Sequence, residues 1–252
     1  MTNKLKYFIG NWKMFGDFTS LKIIETIHFF LIKHKKYQKK NIFVMCIPST
    51  LISFFSIKFK SKFINYGAQN CYHESRYGPY TGSVSASMFK NAGAKYIILG
   101  HSENRYEGET NVIIKKKVES ALKENLTVIF CIGESLKQKK NGKTIAVLGK
   151  QIRDSITRKN NLKKLIIAYE PIWSIGTGKI PKSYELIKIF RFIKREFEVK
   201  FKKKSPPVLY GGSVNPDNIK MFSSISEIDG FLIGAASQSH KKFIDIIKNY
   251  YK

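Results

Sequence analysis

At 252 residues and 43% hydrophobic content, the chain is long enough for a sizeable core, and no stretch approaches the roughly 18 apolar residues of a membrane span. Its net charge of +27 taken alone points to nucleic acid or an anionic membrane, but 39 of the 45 basic residues are Lys and only 6 are Arg, the side chain favoured for base and phosphate recognition. The lysines fall in separate groups at 33–40, 58–62, 115–117, 137–143 and 200–204, several closing helix-like segments, and read as solvated surface, with no specific nucleic-acid partner and no membrane expected. Cys46, Cys71 and Cys131 lack CxxC or Cys/His spacing and read as reduced structural thiols of a cytosolic protein.

The chain begins with Met1 to Lys6 and only three apolar residues, Tyr7 to Ile9, too few for an export signal, so a cytoplasmic location is expected. Gly10-Asn11-Trp12-Lys13-Met14 follows and sets an amide and an ammonium two residues apart at a strand end. Leu21, Ile24, Ile27 and Leu31 have helical spacing. Further strand-length runs come at Ile42 to Ile47 and Phe63 to Gly67, the latter followed by Gln69 and Asn70. The run Tyr96 to Leu99 leads into Gly100-His101-Ser102-Glu103-Asn104-Arg105, where a histidine opens a helix. The positive end of that helix is expected to hold His101 neutral, able to donate a hydrogen bond to developing negative charge.

Val128 to Ile132 precedes Gly133-Glu134, and Leu165 to Ala168 precedes Tyr169-Glu170-Pro171-Ile172-Trp173-Ser174-Ile175-Gly176-Thr177-Gly178-Lys179. The second of these delivers a carboxylate from a strand buried on both faces and then a segment built to move, with Pro171 to stiffen it, Trp173 as an apolar latch, and Gly176 and Gly178 for freedom. Glu170 reads as a base whose pKa a dry site would raise, and the loop as its lid. Helical spacing returns at Leu186, Ile189, Phe190, Ile193 and Phe197. Val208 to Tyr210 leads into Gly211-Gly212-Ser213, and Gly230 to Ile233 into Gly234-Ala235-Ala236, two glycine-rich turns suited to an anion. Phe243, Ile246, Ile247 and Tyr250 complete a last helix.

Eight short apolar runs alternating with helical segments, with no linker or composition break, predict parallel βαβ units and a closed (β/α)8 barrel as one domain over 1–252. The polar residues follow the runs, so they gather on the carboxyl-end face where such barrels place their chemistry.

The segment 169–179, with Asn11-Trp12-Lys13, His101 and the two glycine turns, closely resembles the triosephosphate isomerase family from Asn11 to Gly234. The resemblance implies a TIM barrel that interconverts dihydroxyacetone phosphate and D-glyceraldehyde 3-phosphate through an enediol(ate), without cofactor or metal. It assigns Glu170 the carbon-bound proton, His101 the protons on oxygen, and Lys13 with Asn11 the stabilisation of charge. Gly176, Ser213, Gly234 and Ala235 would bind the substrate with Asn11 and Lys13, while Glu103 and Glu134 would support. The loop Cys71 to Thr81 resembles the family's dimer-forming loop, so a homodimer is expected. Four departures stand out. Ala235 replaces a usual glycine, at a cost on the order of 1 kcal/mol if the position needs positive φ. Asn104 replaces a common arginine, Ser83 replaces a usual glutamate, and Pro181 restricts the trailing hinge of the lid. Another phosphate-binding barrel enzyme would instead call for a Schiff-base lysine within a strand or for metal ligands, and a pure binding protein could dispense with Glu170 or His101.

Overall fold

The computed structural model describes residues 5–74 and 76–252, so the reading of Met1 to Lys4 and the Ser75 position of the Cys71 to Thr81 loop lie outside the described residues. Strands β1 (Lys6–Asn11), β2 (Asn41–Cys46), β3 (Ile64–Ala68), β4 (Tyr96–Leu99), β5 (Thr127–Ile132), β6 (Leu165–Tyr169), β7 (Val208–Tyr210) and β8 (Gly230–Ile233) pair in sequence order, all parallel. β8 returns to β1 with Phe8 opposite Phe231 and closes the barrel. The expected runs coincide with these strands to within two residues at either end.

Alternate residues along each strand belong to two apolar layers. Ile9, Val44, Ile98, Ile129, Ile166, Leu209 and Leu232 fill the barrel interior. Phe8, Phe43, Phe130, Tyr169, Tyr210 and Phe231 face outward into the layer beneath the helices. Most positions on both faces of the strands are thus out of water, and apart from β3, where Asn65 interrupts the run, the sequence shows near-continuous apolar runs where a half-exposed sheet would alternate.

The outer ring consists of α1 (Leu21–Lys33), α2 (Ser49–Lys58), α3 (Ala86–Asn91), α4 (Ser102–Tyr106), α5 (Asn111–Lys123), α6 (Leu136–Lys140), α7 (Thr144–Ser155), α8 (Ser183–Phe201) and α9 (His240–Tyr250). Each of the longer helices buries one stripe. In α8 Leu186, Ile189, Phe190, Ile193 and Phe197 are buried, and in α9 Phe243, Ile246, Ile247 and Tyr250. Local caps set the ends: the Thr110 side chain accepts from the Ile113 N–H ahead of α5, and Ser239 from Lys242 ahead of α9. Among the described residues no helix is long and apolar enough to cross a membrane.

Candidate active site

The carboxyl ends of the strands enclose a cleft of about 840 Å³ lined by Asn11, Lys13, His101, Glu170, Gly176, Ser213, Gly234 and Ala235 among others. All eight residues expected to act on or bind substrate therefore meet there, although they span the chain from β1 to the turn after β8.

Asn11 ends β1, buried, and its Oδ1 accepts the Lys13 N–H at 3.1 Å. Lys13 has φ +56°, the left-handed region that a side-chain-bearing residue rarely enters and that costs on the order of 1–3 kcal/mol unless its surroundings fix it. Two distant amides do so. Gln69 Nε2 donates to the Lys13 carbonyl at 3.0 Å, and Gln238 Nε2 donates to the Trp12 carbonyl at 2.7 Å. Trp12 is itself wholly buried, and its Nε1 donates to the Ser237 carbonyl at 3.0 Å. The bend aims the Lys13 side chain into the cleft, where Nζ meets Glu103 Oε1 at 2.5 Å. Gln238 and Ser237 had no signal in the sequence, since their partners lie more than 200 residues away.

His101 caps α4 and is 4% exposed. Its Nδ1 accepts the Glu103 N–H at 3.3 Å, which leaves Nε2 to carry the ring proton. Nε2 lies 3.4 Å from Glu170 Oε1. The helix end is not the only influence on this imidazole. Burial does press its pKa down, but the Glu170 and Glu103 carboxylates outweigh burial and raise it above the ordinary histidine value. α4 has only five residues, and two carboxylates at contact range exceed the field of so short a helix.

Glu170 follows β6, is 3% exposed, and donates its backbone N–H to the Ile132 carbonyl at 2.7 Å. Two glycines let it sit there. A Cβ on Gly133 would fall 1.8 Å from the Glu170 carbonyl oxygen, and one on Gly211 would fall 2.7 Å from Glu170 Cγ. Glu170 Oε2 is buried with no hydrogen-bond partner, so this oxygen is left to take a proton from something that enters the cleft. The thiol of Cys131 lies against the same carboxylate, and burial pushes it well above the usual thiol range.

Glu134 is fully buried beneath the lid. Its Oε1 accepts from Trp173 Nε1 at 2.9 Å and from Tyr169 Oη at 3.2 Å, and burial raises its pKa against those bonds. Trp173 was expected to be an apolar latch. It is a polar one as well, tethered to Glu134 with Lys139 Nζ 3.9 Å above its ring. At the other end of the lid Ser174 Oγ donates to the Lys179 carbonyl at 2.5 Å, contacts Tyr210 Oη at 3.0 Å and accepts the Ser213 N–H at 3.3 Å. Between these anchors Gly176 and Gly178 have φ +69° and +74°, and the tip from Gly176 to Lys179 stands in solvent. Pro181 is buried and Ile180 packs on the core, so the trailing hinge is anchored directly before α8.

The strain expected at Ala235 is absent. Ala235 begins a right-handed 3-10 turn, Ala235–Gln238, capped by Gly234, and positive φ among the described non-glycine residues is confined to Lys13, Asn125 and Lys202. Gly234, Ala235 and Ala236 line the cleft at the start of that turn, the end at which a helical turn leaves N–H groups free for an anion. Arg105 holds the floor behind His101 through the Gly100 and Cys131 carbonyls at 2.8 and 3.2 Å. Asn104 and Ser83 have no structural role that explains their departure from the family pattern. Among the described residues no three His, Cys, Asp or Glu side chains are grouped to hold a metal ion.

A (β/α)8 barrel whose strand ends bring together a carboxylate, an imidazole, an ammonium and a backbone-lined anion seat under a hinged lid defines a phosphate-binding enzyme of proton transfer. The family model described as triosephosphate isomerase matches residues 6–250. The triosephosphate isomerase of Dictyoglomus thermophilum is 40% identical over 97% of this chain and 99% of its own, and that of Bartonella bacilliformis is 36% identical over the whole of both. The crystal structure of triosephosphate isomerase from Bartonella henselae superposes with a TM-score of 0.88 at 34% identity, covering 98% of this chain and 99% of that one. The chain belongs to the triosephosphate isomerase family.

Proposed function

We propose that the protein interconverts dihydroxyacetone phosphate and D-glyceraldehyde 3-phosphate, with Glu170 and His101 dividing the proton transfers between carbon and oxygen. Glu170 Oε2, buried and unpartnered, takes the proton from the carbon next to the carbonyl, and the electron pair moves onto the carbonyl oxygen to give an enediol(ate). His101 Nε2 donates to that oxygen and recovers a proton from the neighbouring hydroxyl; Glu170 then returns its proton to the adjacent carbon. Lys13 Nζ, beside Asn11, offsets the charge that builds up on the oxygens. The phosphate is held by N–H groups of Gly176, Gly234 and Ala235 and by Ser213, whose N–H turns to it from Ser174 Oγ as the lid closes to exclude water.

The observation that carries this reading is the pair Glu170 Oε1 and His101 Nε2, 3.4 Å apart and nearly excluded from solvent at the mouth of a barrel. A substrate that displaces this contact finds the ring proton on one side and the base on the other. Deuterium uptake at substrate carbon in D2O tests it: Glu170→Gln should abolish uptake, and uptake at the parent rate would sink the assignment.

The same reading makes 1–252 one catalytic domain, active as a homodimer in the cytoplasm. Met14 and Tyr106 are almost wholly exposed and Tyr77 is 78% exposed, an arrangement that suits burial against a second copy. Sedimentation that finds only monomer at micromolar concentration would contradict the dimer.

A further inference from the structure

The end of the barrel opposite the catalytic cleft carries a second cavity of about 760 Å³, within the size range of ligand sites. Tyr7 and Tyr96 form its floor, packed against the lowest layer of the barrel interior. Pro206 and Pro207, which lead into β7, form a stiff wall. Lys163 and Lys164 rim one side from the 3-10 turn before β6, a turn fixed by the Asn161 side chain, which accepts the Lys163 N–H. Lys203 and Lys204 rim the other side. Lys202 ends α8 with φ +50°, which reverses the chain and places the next two lysines at the cavity edge.

The lysine groups that look scattered in the sequence are gathered by the topology. In a parallel barrel every connection from a helix to the next strand lies at the amino ends of the strands. The α1–β2 connection carries four lysines within 35–40, the α7–β6 connection four cations within 158–164, and the α8–β7 connection Lys202 to Lys204. The cavity lies amid this field. Two lining carboxylates oppose it: Glu198 is exposed at the rim, while Asp229 is buried and engaged by Lys194 at 2.9 Å and by the Val208 N–H at 2.9 Å. Burial pushes the Tyr96 phenol up to about 12, so the floor adds no negative charge.

We propose that this cavity is a nucleotide site, with a planar base against the Tyr7, Tyr96 and Pro206–Pro207 surface and phosphates between the Lys163–Lys164 and Lys203–Lys204 pairs. A triose phosphate has no ring for the apolar floor, and a flat bilayer cannot enter a concave cleft. Lysine pairs on two sides match a chain of phosphates better than a single anion, since each ammonium acts as a point charge without directional demand. The same chemistry is offered by a free nucleotide or by one unit of a single strand.

The test is calorimetric titration of the full chain with ATP, with inorganic triphosphate and with an oligouridylate of about 12 nucleotides. It compares the parent with Lys203→Glu/Lys204→Glu and with Lys22→Glu/Lys116→Glu, exposed positions that change the net charge equally elsewhere. The proposal expects saturable binding that weakens about tenfold or more in the first variant and much less in the second. Sensitivity of ATP alone assigns a free nucleotide, and sensitivity of the oligouridylate assigns a strand. The proposal is overturned if neither ATP nor the oligouridylate binds saturably, if both variants weaken binding equally, if inorganic triphosphate binds as tightly as ATP, or if ATP competes with triose phosphate for the catalytic cleft.

Discussion

Gly133→Ala should damage catalysis far more than it damages the fold. An ideal Cβ at this position lies 1.8 Å from the Glu170 carbonyl oxygen and 2.7 Å from its carbonyl carbon, and real Cβ contacts stay beyond 3.0 Å. The difference between 3.0 and 1.8 Å means that the Glu170 backbone must retreat by about 1.2 Å or more in a close-packed region. That movement also stretches the bond from the Glu170 N–H to the Ile132 carbonyl, now 2.7 Å. Overpacking of this kind costs ~1–3 kcal/mol, a fraction of the ~5–15 kcal/mol that holds a domain folded. A base misplaced by ~1 Å loses about a hundredfold in rate. Gly133 does not have positive φ, so alanine meets a steric obstacle and no backbone barrier. Urea unfolding and initial-rate kinetics on the same preparation separate the two effects. A variant whose kcat/KM stays within about twofold of the parent would refute the claim that Gly133 exists to let Glu170 reach its place.

Three further outcomes are expected. Trp173→Phe removes the indole N–H from Glu134 and should destabilise the closed-down base of the lid by ~1–3 kcal/mol, read as a lower urea midpoint together with a raised KM; an unchanged KM would detach the tether from lid function. Because its folded-state pKa is raised by Glu170 and Glu103, His101 contributes stability that is full below the unfolded imidazole value, about 6.5, and is lost as pH rises through the folded value. The parent should therefore lose stability relative to His101→Gln as pH rises above about 6.5, and parallel curves would contradict it. Ala235→Gly should leave KM for triose phosphate within about twofold and stability no better than the parent, since alanine already sits at right-handed φ; a clear gain in affinity would show that the residue obstructs the phosphate.

The barrel was legible because strands buried on both faces need apolar residues at every position, and runs such as Val128 to Ile132 show it without structural help. Which residues of each run face inward was not legible: Phe8 and Ile9 are equally apolar, yet they belong to different layers. The site residues could be found because each follows a strand, and a charge at the end of an apolar run, as at Glu170, is conspicuous. The left-handed backbone of Lys13 could not, since lysine gives no conformational signal and the amides that impose the bend come from Gln69 and Gln238, remote in the chain. The rise in the His101 pKa was not legible because a helix start is visible in sequence, whereas a contact between residues 101 and 170 is not. The same holds for the lysines, whose gathering at one end follows from barrel closure and from nothing local.

The most direct test of the central claim is turnover of D-glyceraldehyde 3-phosphate by the purified protein in a coupled assay, run beside Glu170→Gln prepared identically to exclude a contaminating host enzyme. Robust turnover that falls by orders of magnitude in a folded Glu170→Gln variant is the predicted result. Near-equal rates in the two proteins, or none in a correctly folded parent, would contradict the assignment of Glu170 as the base of this isomerase.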